Sequence, residues 1–174
     1  NPDGTPTWQS LSVSGFGLTY GSVPANKAGS VTVSISAGES GTHTPNAVSI
    51  RFPSPEKTPI SRDDFFNYEF VKKLFIEAIR FWKPEYGRVT SYAFSDAISS
   101  YPWSRIGWLT YLGDPRALAL RNDPALAGVI VEPLDSRGAL ISLNGNIISP
   151  DDTAQLEKAR RLEQKLIAEK LLPF

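Results

Sequence analysis

The stretch Ile106-Gly107-Trp108-Leu109-Thr110-Tyr111-Leu112 limits the folds open to this chain more than any other. Successive side chains of a strand point to opposite faces, so Ile106, Trp108, Thr110 and Leu112 share one face and Gly107, Leu109 and Tyr111 the other. Both faces are apolar. Such a strand lies inside a sheet under cover on both sides, or turns one aromatic face toward a partner. For Trp108 and Tyr111 the pattern predicts core packing under a helix first and a contact surface second.

A chain of 174 residues is one domain's worth and buries about two thirds of the surface its unfolded form would expose. The expected organisation is a single domain over residues 1–174, with a tail at 1–7, a strand-rich part at 8–60 and a helix, strands and a C-terminal helix over 61–174. In the strand-rich part Leu11 to Ser14 and Val31 to Ile35 alternate apolar with polar residues, and Ala47 to Phe52 is a third candidate. Ser61 as N-cap with Asp64 three residues later opens a helix that Pro84 stops. Phe66, Phe70, Leu74, Ala78 and Phe81 form one apolar row on it, and Tyr68, Val71, Phe75, Ile79 and Trp82 another, so more than half its circumference is expected to be buried.

Strands are expected next at Arg88 to Phe94, Ile106 to Leu112, Gly128 to Leu134 and Ala139 to Leu143, with a short helix at PRALAL. Asp135 to Gly138 fits a type I turn joining the last two strands. The chain closes with a helix whose cap is Ser149, with Pro150 at its first position and Leu156, Ala159, Leu162, Leu166 and Ile167 inside. Without regular βαβ alternation, the order predicts an α+β fold: a mostly antiparallel sheet with the two long helices packed on one face.

Composition excludes several classes of function. Lys and Arg number 18, as do Asp and Glu, so the chain lacks the field that gathers nucleic acid or anionic lipid. It has no Cys, hence no disulfide, thiol chemistry or Cys-bound metal. No apolar run approaches the roughly 20 residues that span a bilayer. The chain also lacks Met, so its first residue is expected to be a trimmed end. The cytoplasm is the expected compartment, with the periplasm left open by that trimming.

Catalytic motifs fail in turn. Gly15 to Tyr20 imitates a dinucleotide loop, but Tyr20 stands where the third glycine is needed, so a strand is expected. Gly38-Glu39-Ser40-Gly41 near His43, the sole histidine, lacks the strand, sharp turn and helix of a nucleophile elbow. Pro150-Asp151 with Glu163-Gln164-Lys165 satisfies the letters of a PD-(D/E)xK nuclease, yet all lie on one predicted helix and not on adjacent strands converging on a metal. The carboxylates Asp96, Asp114, Asp123, Glu132 and Asp135 leave open a small carboxylate-dependent hydrolase, and an adaptor domain of a secretion apparatus is a further alternative.

The residues Ile106 to Leu112, Gly128 to Pro133, Gly138 to Leu143, Ser149 to Asp152 and the terminal helix to Leu172 together resemble the immunity protein 52 family of bacterial polymorphic toxin and type VI secretion systems, over residues 62 to 172. That resemblance implies an α+β protein without cofactor or enzymatic activity. It would bind and neutralise a cognate toxin, an effector with a restriction-endonuclease-like nuclease domain, by covering its active site or assembly surface. Interface cores favour Trp, Tyr and Arg, so Tyr101, Trp103 and Arg105, just ahead of the opening strand, are the expected anchors. Asp96, Asp114 and Asp135 at strand ends are expected to face a basic cleft.

Overall fold

The computed structural model describes residues 16–22, 31–37, 47–51, 67–98, 105–136, 138–143, 145 and 148–172. Residues 1–174 were expected as one domain with a change of character at residue 61; the chain groups into two compact units, Asn1–Phe65 and Phe66–Phe174.

In the first unit β1 (Phe16–Ser22), β2 (Val31–Ala37) and β3 (Ala47–Arg51) form an antiparallel sheet in sequence order. The register aligns Leu18 with Ile35 and Tyr20 with Val33, and these with Val48 and Ile50. Thr19, Ser34 and Ser49 share the alternate positions. Apolar and hydroxyl residues thus occupy alternate sets of positions along the sheet. Gly17 to Tyr20, expected as strand, lies in β1. The candidate strand Leu11 to Ser14 and the loop with His43 lie outside the described residues.

The second unit starts with α1 (Tyr68–Trp82). Its N-cap is Asn67, whose side chain accepts from the Glu69 and Phe70 N–H groups at 2.9 and 3.3 Å. Ser61, the cap expected from the sequence, lies outside the described residues. At the other end Lys83 adopts the left-handed conformation (φ 50°) and donates its N–H to the Ile79 carbonyl at 2.8 Å. Pro84 then prevents continuation.

A four-stranded antiparallel sheet follows, in the order β4 (Tyr86–Val89), β5 (Leu109–Leu112), β7 (Gly138–Ser142), β6 (Ile130–Leu134). The expected strand Arg88 to Phe94 is only half strand. Beyond Val89 the Ser91 hydroxyl accepts from the Phe94 N–H (3.2 Å) and its carbonyl from Ser95 (3.0 Å), which opens α2 (Tyr92–Ile98). Local capping by a serine overrides the strand propensity of Val-Thr-Ser-Tyr there.

Strand β5 is central, and all four of its residues are buried. Leu109 and Tyr111 pair with Ser142 and Leu140 on one face, Thr110 and Leu112 with Ile141 and Ala139 on the other. Helix α1 covers the first face. Tyr68 donates to the Ser142 hydroxyl at 3.0 Å, Lys72 pairs with Glu132 at 2.5 Å, and a Cβ on Gly87 would lie 3.1 Å from the Phe75 ring.

Tyr86, one residue before Gly87, points to the opposite face and donates its hydroxyl to the Arg105 carbonyl. The Arg105 N–H donates to Glu163 of α3 (Thr153–Ala168) at 2.8 Å, and the nearby Gly107 N–H to the Thr110 hydroxyl at 3.1 Å. The α+β class and the antiparallel sheet are as the sequence predicts.

The cap of α3 is Asp152, which accepts from the Gln155 N–H at 3.1 Å. The expected cap, Ser149, instead closes the preceding turn, its hydroxyl accepting from the Asp151 N–H at 3.2 Å. Leu156, Ala159, Leu162 and Leu166 are buried as expected, each leucine worth about 1.5–3 kcal/mol of apolar burial. Ile167 is exposed, because the helix ends a residue later and the chain turns through Lys170 (φ 54°) to bury Leu171.

The helix expected at PRALAL is 3₁₀, Pro115–Asn122, capped by Asp114. The type I turn expected from Asp135 to Gly138 includes residue 137, which lies outside the described residues. Leu134 pairs with Gly138, leaving three residues between them, with Asp135 left-handed (φ 56°). Gly138 is needed for close approach, since a Cβ there would sit 2.0 Å from the Leu112 carbonyl oxygen. Pro133 is tolerated because β6 is an edge strand.

Candidate partner-binding surface

The residues expected to meet a partner fall into three environments. Trp108 and Tyr111 are each 3% exposed. The Trp108 ring packs 5.6 Å from that of Tyr68, so the pair helps bind α1 to the sheet. Tyr101 and Trp103 lie outside the described residues.

Arg105 is held through its backbone by Tyr86 and Glu163. Burial pushes the Tyr86 hydroxyl up to about 12. Just before this stretch, Arg160 donates to the carbonyls of Ile98 (3.1 Å) and Ala97 (2.6 Å). One helix, α3, thus anchors the chain on both sides of residues 99–104.

The three aspartates are dispersed. Asp114 accepts from the Arg116 N–H at 2.9 Å and takes its guanidinium in a fork, with Nη2 at 2.6 Å. Those hydrogen bonds hold its carboxyl below the usual range and neutralise its charge locally. Asp135 is exposed in the β6–β7 turn, and Asp96 is exposed on α2.

Gly113 abuts Gly138, so Asp114 and Asp135 come to one end of the sheet. The Trp108 N–H donates to Val89 and its carbonyl accepts from Leu143, which places Arg105 toward the other end, where β4 passes into α2 and Asp96. Four residues of strand, about 13 Å, separate the two groups.

The nuclease-like letters are occupied in structural work. Glu163 holds Arg105, and Lys165 pairs with Asp123 at 2.8 Å and Glu169 at 3.1 Å. Among the described residues no group of three His, Cys, Asp or Glu side chains is placed to hold a metal. Nor, among them, is any helix long and apolar enough to cross a membrane.

Another surface feature was not picked out from the sequence. Of the five large apolar side chains exposed among the described residues, three are on α1: Phe70 (47%), Phe81 (78%) and Trp82 (41%). The helix buries most of one of its two apolar rows, with Val71 and Ile79 inside and Tyr68 and Phe75 partly covered, while Trp82 at the end of that row is exposed. The signal was present as an apolar arc wider than one sheet contact can cover.

A small α+β protein with a rigid central sheet and exposed aromatic side chains along one helix has the makings of a protein-binding module. The family model for immunity protein 52 matches residues 11–173, and the chain belongs to that family. No curated protein matches it. Membership gives it the role of an immunity protein, which acts by binding a cognate toxin.

Proposed function

We propose that this chain neutralises a nuclease effector with a restriction-endonuclease-like domain, of the kind delivered by polymorphic toxin or type VI secretion systems, by covering its active site or the surface through which it assembles. The observation that carries this reading is the family match across nearly the whole chain. Tyr101, Trp103 and Arg105 are the proposed anchors, with Asp96, and Asp114 and Asp135 are a separate acidic contact at the end of the sheet away from Arg105. Trp108 and Tyr111 support this by stiffening β5, since side chains 3% exposed hold the scaffold and do not reach a partner.

The test is co-expression with the protein encoded next to this chain's gene. Restored growth, a stable purified pair and loss of nuclease activity in that pair are expected. Intact growth inhibition with no complex would refute the assignment for that pair, and relief of toxicity without any nuclease activity to inhibit would refute the effector class.

A further inference from the structure

We infer that Arg88 and Arg105 form a cationic pair that grips a carboxylate on the cognate toxin. This rests on the toxin-binding reading above and deepens it, adding Arg88 to the contact and fixing the chemistry that the partner offers there. Tyr86 and Arg88, two residues apart on β4, share one face of the strand, the face from which the Tyr86 hydroxyl reaches the Arg105 carbonyl. Burial pushes that hydroxyl up to about 12, while the charges of Arg88 and Arg105 pull against the rise, so both guanidinium groups lie near one oxygen.

Cations drawn partly out of water are ordinarily paired. The other half-buried ones of the second unit are: Lys72 with Glu132 at 2.5 Å, Lys165 with Asp123 at 2.8 Å, and Lys158 with the Gly128 and Leu143 carbonyls at 3.0 and 3.1 Å. Arg88 and Arg105 are half-buried too, yet among the described residues neither guanidinium pairs with a carboxylate or a carbonyl. Glu163, the carboxylate close by, accepts instead from the Arg105 backbone N–H at 2.8 Å. Arg160, one helical turn earlier on α3, adds a further positive charge while it holds the Ile98 and Ala97 carbonyls. Residues 99–104, Ser-Ser-Tyr-Pro-Trp-Ser, bring no charge of either sign. Three arginines thus stand against one glutamate, in a chain whose total is zero.

Charge decides between kinds of occupant. Each guanidinium is a planar fork of N–H donors that matches the two oxygens of a carboxylate. A phosphate backbone offers similar oxygens, but a neutral chain with one small cationic cluster lacks the extended field that holds nucleic acid. Residues 1–65 carry four Lys and Arg against five Asp and Glu, so the first unit has no acidic field of its own to match the cluster. An acidic side chain of the toxin does match it, and such a contact sets the rate and register of association.

The experiment uses the full chain and the protein encoded next to its gene, with affinity read by titration at about 50 and about 500 mM salt and folding by thermal melting. Wild type is expected to bind, more weakly at the higher salt. Arg88→Gln/Arg105→Gln is expected to bind roughly 100-fold more weakly at the lower salt, two contacts at about tenfold each, and to respond less to salt because the screened charges are gone. Arg88→Lys, which keeps the charge and loses the fork, should give roughly tenfold. The double variant should melt within about 3 °C of wild type or above it, since two neighbouring like charges are removed.

Absence of wild-type binding would overturn the toxin reading together with this one. Unchanged affinity in the double variant would overturn the arginine pair alone, and so would a salt dependence as steep as that of wild type. A fall of more than about 5 °C in the melting temperature of the double variant would show that a carboxylate of the chain itself, residues 1–65 included, already holds the pair, and would overturn the inference as well. A DNA duplex bound by wild type and released by the double variant, with toxin affinity intact, would assign the pair to phosphate and overturn it too.

Discussion

Replacing Gly138 by alanine places a methyl carbon 2.0 Å from the Leu112 carbonyl oxygen and 2.9 Å from the Gly113 Cα, where real contacts stop near 3.0 Å. Both neighbours are backbone of the central strand, so no side chain can swing aside. Relief requires β5 and β7 to part by about 1 Å at their closing pair, which loses one or two ladder hydrogen bonds at about 0.5–1.5 kcal/mol each. Crowding in a packed core adds about 1–3 kcal/mol. The expected loss is about 2–5 kcal/mol, a large part of the roughly 5–15 kcal/mol that holds a domain folded.

Gly145 is the internal control, because a Cβ there meets nothing within 4 Å. Gly145→Ala should be neutral or stabilising by up to about 1 kcal/mol, through the unfolded chain. Equilibrium urea unfolding followed by tryptophan fluorescence measures both. A Gly138→Ala protein within about 0.5 kcal/mol of wild type, in the range of an ordinary surface change, would refute the claim that Gly138 is required by close backbone approach.

Tyr86 keeps its proton to about pH 12 in the folded protein but titrates near 10.0 when unfolded. Its contribution is therefore full below pH 10 and is lost as pH rises toward 12, by about 1.4 kcal/mol per unit and about 3 kcal/mol in all. Tyr86→Phe should cost about 1 kcal/mol at pH 7 by losing the Arg105 hydrogen bond, yet flatten the alkaline fall. Parallel alkaline profiles for the two proteins would contradict this. Tyr68→Phe leaves the fully buried Ser142 hydroxyl without its 3.0 Å partner and should cost about 1–3 kcal/mol, whereas adding Ser142→Ala should recover part of it. A double-mutant cycle by urea unfolding checks this, and strict additivity would show that the two hydroxyls are not coupled.

The elements legible from sequence were those whose pattern admits one solution. Residues Leu109 to Leu112, apolar on both faces, read first as an inner strand and are one, and Leu156, Ala159, Leu162 and Leu166 lie along one helical stripe. Boundaries were misread where several capping residues compete within a few positions. Ser149 and Asp152 stand three positions apart and each accepts a backbone N–H, so residue type alone does not separate them. Ser91 likewise cut a strand short.

For the candidate surface, residue type identified aromatic and acidic positions but not their depth or company. Asp114 has the composition of a free acidic contact and is in fact chelated by Arg116. The apolar width of α1 reads from the sequence as buried area. A helix lying on a sheet covers one of its rows, and the second becomes visible only once the sheet is in place.

The anchoring of residues 97, 98 and 105 by α3 has an evolutionary consequence. Arg160 and Glu163 engage two carbonyls and an N–H, atoms that every one of these positions would present whatever its side chain. The stretch between them can therefore exchange its residues without altering what the anchors hold. Were the proposed anchors Tyr101 and Trp103 to meet the toxin, a lineage could change them to follow a changing toxin while Arg160 and Glu163 kept the same backbone groups.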